Sequence, residues 1–174
     1  MEKKFKINIF LTGGTIDSHW DGKADTAVIG DVSVVPDYFK TLILYADVEF
    51  TEICLKDSRN LNSADLNNLL EKLESCDNTK IIITHGTYTM PDTAKFLQAN
   101  LKRKDQIIVL TGSMVPLAGF SPSDASFNLG YAIAEVSNLA AGVYLCMNGK
   151  TFNPDEVAKN LAEGKFYSVF ERKQ

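Results

Sequence analysis

The chain has 174 residues, 45% hydrophobic and 23% charged, with a formal net charge of −4 at pH 7. That length fits one domain with a proper core, and the composition is that of a soluble globular protein. An acidic balance, with a basic tail at Lys165, Arg172 and Lys173 too sparse to form a face, speaks against nucleic acid, and no apolar stretch reaches bilayer length.

Met1-Glu2-Lys3-Lys4 leads into a short strand, Phe5–Leu11, and not into the apolar core of a secretory leader. The strand closes in Thr12-Gly13-Gly14-Thr15, where glycines permit positive φ and close approach to a ligand. From Asp17 to Val34 no periodicity is visible, which predicts a long irregular loop placed to close over that turn. Val35-Pro36-Asp37 opens a helix running to about Ala46, and Val48–Leu55 is the next strand, ending in Lys56-Asp57-Ser58-Arg59. Ser63-Ala64-Asp65 caps a helix with Leu66, Leu69, Leu70 and Leu73 at helical spacing. Lys80–Thr84 runs into His85-Gly86-Thr87, and Asp92 through Leu101 is helical with Pro91 beside its first turn. Gln106–Leu110 leads to Thr111-Gly112-Ser113-Met114, and Ser123-Asp124 precedes a helix reaching about Asn138. Gly142–Met147 is the last strand, and Asn153-Pro154-Asp155 predicts a final helix that carries Lys159.

Near-continuous Ile/Val/Leu strands alternating with helices predict an α/β fold. It is a doubly wound open sheet, mostly parallel, three-layered and flavodoxin/Rossmann-like, in a single domain over residues 1–174. Parallel strands deliver their carboxyl ends to one edge, so the Thr-Gly-Gly-Thr, Thr-His-Gly-Thr and Thr-Gly-Ser segments converge around one small polar ligand. No third glycine completes a dinucleotide fingerprint and no GxxxxGK occurs, leaving a nucleotide reading on fold class alone. Cys54, Cys76 and Cys146 read as buried reduced thiols of a cytoplasmic protein, and no CxxC or HxxxH spacing suggests a metal.

Thr12-Gly13-Gly14-Thr15-Ile16 with Thr84-His85-Gly86-Thr87-x-Thr89-Met90 resembles the bacterial-type L-asparaginase/glutaminase family. The similarity continues through Lys56-Asp57-Ser58, Leu110–Met114, Phe127-Asn128-Leu129 and Met147-Asn148. It covers the family's larger N-terminal domain and no smaller C-terminal one, as in a short, single-domain member. The resemblance implies a cofactor-free amidohydrolase that attacks a side-chain amide, by default that of L-asparagine, through a threonine ester. It makes Thr15 the nucleophile, Thr87 the second catalytic threonine and Lys159 that threonine's partner. It also assigns Ser58 to the substrate α-carboxylate and Ser113 to a backbone contact with the scissile amide. Gly14, Asp57, Gly86 and residue 88 complete the implied substrate site, and a homodimer or higher homo-oligomer is the implied assembly. A lysine can act as base here if desolvation depresses its pKa.

Two departures stand out. The family's aspartate after the second threonine, which grips the substrate α-ammonium, is Tyr88 here, so an amide lacking that ammonium is an alternative substrate. The family's lid tyrosine is replaced around Asp25-Thr26-Ala27, and Asp21 or Asp25, carried on the lid, are expected to replace the missing carboxylate. The rival class is a catalytically weak relative that binds a small amino acid or acid as a sensor.

Overall fold

The computed structural model describes residues 5–171. The leader reading at Met1–Lys4 and the basic tail pair Arg172-Lys173 lie outside the described residues. Strands β1 (Phe5–Gly13), β4 (Ala46–Lys56), β5 (Lys80–Thr84), β6 (Ile107–Thr111), β7 (Gly142–Met147) and β8 (Lys150–Phe152) form one sheet in the order β4-β1-β5-β6-β7-β8. All neighbours are parallel except β7 and β8, an antiparallel edge pair. Counting only the parallel strands, this is the 2-1-3-4-5 order of doubly wound proteins, with the reversal between β1 and β5.

Side-chain alternation builds the two faces. Ile7, Ile9, Leu11, Ile82, Val109 and Cys146 point to one side, beneath α1 (Val35–Lys40) and α4 (Ala125–Asn138). Phe10, Ile81, Ile83, Ile108, Leu110, Leu145 and Met147 point to the other, beneath α2 (Ser63–Ser75) and α3 (Met90–Asn100). The central strands β5, β6 and β7 are therefore mostly apolar, since both of their faces are covered. Helix α2 begins on a capping box set one residue before the expected Ser63 cap: the Asn62 side chain accepts from Ala64 and Asp65 N–H, while Asp65 accepts from Asn62 N–H.

Three local readings are corrected. The stretch after Asp17 is not irregular: β2 (Ser18–Asp21) and β3 (Thr26–Ile29) form an antiparallel hairpin. Both strands have four residues and are largely exposed, so burial imposes no apolar alternation on them. Helix α1 ends at Lys40 and Ala46 already belongs to β4. Most consequentially, Asn153-Pro154-Asp155 opens a turn and not a helix, leading to β9 (Val157–Asn160) and β10 (Lys165–Ser168), which pair antiparallel. Leu161, Ala162 and Glu163 are good helix formers, but burial of Val157 and Phe166 with the α2/α3 face overrides that local preference. No helix among the described residues is long and apolar enough to cross a membrane.

Candidate active site

The sheet reversal between β1 and β5 leaves a crevice, and backbone approach at that crevice needs glycine. Gly14, just beyond β1, has φ +88°, and a Cβ on it would strike Gly86 Cα, beyond β5. A Cβ on Gly86 would in turn lie 2.7 Å from Ser58 Cβ and 2.8 Å from Ser58 Oγ. The turns after β1 and β5 therefore meet backbone to backbone, and the β5 turn packs directly on Ser58 of the turn after β4. Thr12 Oγ1 donates to Thr84 O at 2.8 Å and locks the two central strand ends together.

Around this stack lies a pocket of about 230 Å³, lined by Gly14, Thr15, Asp57, Ser58, Arg59, Gly86, Thr87, Tyr88 and Lys159. Thr15 and Thr87 face the same space from the β1 and β5 turns. Lys159 reaches it from β9, and its Nζ donates to Thr87 Oγ1 at 2.7 Å across 72 residues of chain. Partial burial, assisted by the positive charge of Arg59, holds the Lys159 amine below the usual lysine range. A buried ammonium loses hydration, so the neutral amine is favoured relative to a surface lysine.

His85 shapes this site from behind. Its ring is fully buried, Nδ1 lies 2.8 Å from Gly86 O and Nε2 lies 2.9 Å from Thr93 Oγ1. A carbonyl only accepts, so Nδ1 carries the proton and Nε2 accepts from the Thr93 hydroxyl. Burial pushes the His85 pKa down to about 4, which keeps this tautomer neutral. The ring thereby fixes the Gly86 carbonyl and the orientation of the turn that presents Thr87. Thr89 adds a second brace, donating from its N–H to Ser58 Oγ at 3.3 Å and from its hydroxyl to Ser58 O at 2.9 Å. The next loops along the edge are tied by Asn128, which donates to Gly112 O and to Asp124 and accepts from Asn148 N–H. His85, Arg59, Thr89 and Asn128 are the contributors that sequence reasoning left without a role. Only a buried histidine between two hydroxyl-rich turns was there to be noticed.

Other expectations fall elsewhere. Ser113 does not line the pocket; it is buried and its hydroxyl donates to Val115 O at 2.6 Å. Asp57 lines the pocket, but Arg59 engages it through Nε at 2.9 Å and Nη2 at 2.6 Å. That pairing holds the Asp57 carboxyl below its usual range. Asp21, Asp25 and Thr26 sit at the β2–β3 turn and do not line the pocket, and Asp21 accepts from Lys23 and Ala24 N–H there. The Gly14 N–H donates to Lys56 O, so it is not free to stabilise an oxyanion. Of the cysteines only Cys146 is buried, its thiol pushed up to about 12; Cys54 and Cys76 are half-buried. Among the described residues no His/Cys/Asp/Glu cluster forms a metal site.

Comparison with known proteins places this arrangement. The family model described as Asparaginase, N-terminal, matches residues 6–168. L-asparaginase 2 of Escherichia coli K12 is 32% identical over 161 residues, covering 88% of this chain and 46% of that protein. A glutaminase-asparaginase of Pseudomonas aeruginosa is 28% identical over 91% of this chain and 46% of its own length. The crystal structure of a probable cytoplasmic L-asparaginase from Campylobacter jejuni superposes with a TM-score of 0.82 at 31% identity, covering 95% of this chain and 53% of that one. The chain thus spans about half the length of the relatives it matches.

Proposed function

Because the chain belongs to the asparaginase family through its match to the N-terminal asparaginase domain, we propose that it is an L-asparaginase-like amidohydrolase working through a threonine ester. The observation that carries this reading is the 2.7 Å contact between Lys159 Nζ and Thr87 Oγ1 in a pocket that Thr15 also lines. A partly desolvated amine beside a hydroxyl, facing a second hydroxyl, is the nucleophile–base set that amide hydrolysis needs.

In the proposed cycle the neutral Lys159 amine takes the Thr87 proton, and the Thr87 oxygen takes the proton of the Thr15 hydroxyl. Thr15 Oγ1 bonds to the side-chain carbonyl carbon, the C–N bond breaks, and the nitrogen leaves as ammonia with the proton returned by Lys159. Water then attacks the ester carbonyl along the same proton route, releasing the carboxylic acid and restoring the Thr15 hydroxyl. Ser58 holds the substrate carboxylate, with Asp57, Gly14, Gly86 and Tyr88 bounding it. No step calls on a metal or cofactor. The assembly proposed with this activity is a cytoplasmic homo-oligomer, which sedimentation would measure.

One observation favours a second reading, a sensor that binds without turnover: the one carboxylate lining the pocket, Asp57, is already paired. Ammonia release from L-asparagine and related ω-amides, compared between the native chain and Thr15→Ala, separates the two. The proposal expects at least ~10³-fold loss, the scale of removing a nucleophile. Equal activity in both proteins would refute the role of Thr15, and no release from any amide would favour the sensor.

A further inference from the structure

The charges lining the pocket do not suit a zwitterionic amino acid. Two fixed charges face it, those of Asp57 and Arg59, beside the Lys159 amine. Asp57 is bidentate to Arg59, which uses Nε and one Nη2 hydrogen and leaves three of the five guanidinium N–H groups unused by that pair. The guanidinium also lies over the Tyr88 ring, 5.6 Å from its centroid, and that ring is 51% exposed on the pocket wall. Stacking on the ring and the fork to Asp57 hold Arg59 as a planar donor at the pocket edge. An α-ammonium entering here meets the Arg59 guanidinium and no unpaired carboxylate among the lining residues. A lone carboxylate meets a guanidinium edge and the Ser58 hydroxyl.

We propose that Arg59, stacked on Tyr88, forms an anion subsite that selects the ω-monoamide of a short dicarboxylic acid whose α-carbon bears no ammonium. This deepens the amidohydrolase reading and rests on it for turnover, though not for binding. The substrate carboxylate is bound by the free N–H groups of Arg59 together with Ser58, and the amide end is directed at Thr15. Hydrolysis breaks the same C–N bond, consumes one water and releases ammonia and the dicarboxylate. Asp57 acts by orienting Arg59 and is not itself a substrate contact.

Succinamate and L-asparagine form a matched probe pair, since they differ only in the α-ammonium. Ammonia release is measured for both with the native chain, Arg59→Gln and Arg59→Lys, and succinate binding is measured by calorimetry on the same proteins. The expected result is a kcat/KM for succinamate that exceeds that for L-asparagine by about tenfold or more, the scale of one charge-assisted hydrogen bond. Arg59→Gln should shrink that ratio by about tenfold from both sides, because it removes the anion's partner and frees Asp57 for an ammonium. Arg59→Lys, which keeps the charge and loses the fork, should fall between. Preference for L-asparagine with a ratio unmoved by Arg59→Gln would overturn this inference and leave the amidohydrolase reading standing. Succinate binding weakened by Arg59→Gln, with no ammonia released from any amide, would support the subsite and overturn the amidohydrolase. Absence of both turnover and succinate binding would overturn both. Arg59 is largely exposed, so the variants are expected to fold, and melting temperatures check this.

Discussion

Adding one methyl group at Gly86 tests whether the stacked turns position the chemistry. In Gly86→Ala the new Cβ would sit 2.7 Å from Ser58 Cβ and 3.0 Å from Ser58 N, and the latter is backbone that cannot rotate away. Ordinary carbon contacts lie at about 3.5–4.0 Å, so the two turns must part by roughly 1 Å. Overpacking of this kind costs ~1–3 kcal/mol, which at ~2–4 °C per kcal/mol for a chain of this size lowers the melting temperature by about 2–12 °C. The effect on activity is larger. Thr87 follows Gly86 directly, and a 1 Å shift would stretch its 2.7 Å contact with Lys159 beyond hydrogen-bonding distance. Misplacement on this scale costs about 100-fold in rate. The measurements are ammonia release on the preferred amide and a thermal melt, with Gly130→Ala as control, since a Cβ at Gly130 meets nothing within 4 Å. Gly86→Ala with native activity would refute the claim that this contact sets the geometry of the site, whatever its melting temperature.

Four further outcomes are expected. Lys159→Met should lower kcat/KM by about 10²–10⁴-fold with little change in melting temperature, and Lys159→Arg should not rescue it, because a guanidinium stays charged. In the native chain kcat/KM should rise with pH on a limb whose midpoint lies below the ordinary lysine value, and a limb that survives in Lys159→Met would assign it to another group. His85 is buried neutral, its folded pKa of about 4 lying below the unfolded value of about 6.5. Its contribution is therefore complete above pH 6.5 and is lost as pH falls toward 4, by up to about 3 kcal/mol. Melts between pH 7 and 4.5 should show this loss, and His85→Gln should flatten it; an unchanged slope would exclude His85 as the cause. Tyr88→Asp should raise L-asparagine turnover at least tenfold only when combined with Arg59→Gln. On its own the new carboxylate is captured by the overlying guanidinium. A full gain in the single variant would contradict that capture.

The alternation of β-branched runs with capped helices is a local property, and the doubly wound sheet could be read from it. The glycine-and-hydroxyl turns could be read as a converging site for the same reason: parallel strands all end at one edge, so residue order alone brings Gly14, Ser58, Gly86 and Thr87 together. What local order could not supply was the path of residues 153–168. There, good helix formers yield to a two-stranded sheet because Val157 and Phe166, each 2% exposed, are buried with the α2/α3 face, a contact far away in sequence. The expected helix and the observed strand both carry Lys159, but only the strand explains how its Nζ meets Thr87.

Electrostatics followed the same division. Residue identity put a tyrosine where the resemblance leads one to look for an aspartate, which questioned an amino acid as ligand. The pairing of Asp57 with Arg59, the guanidinium lying over Tyr88 and the neutral tautomer of His85 depend on distances of a few ångströms and on burial. Those are set by packing across the crevice between β1 and β5. The chain order thus determined which groups arrive at the edge, and the tertiary structure decided which charges remain free to meet a substrate, because Coulomb energies and hydrogen bonds depend on separation in space, not along the chain.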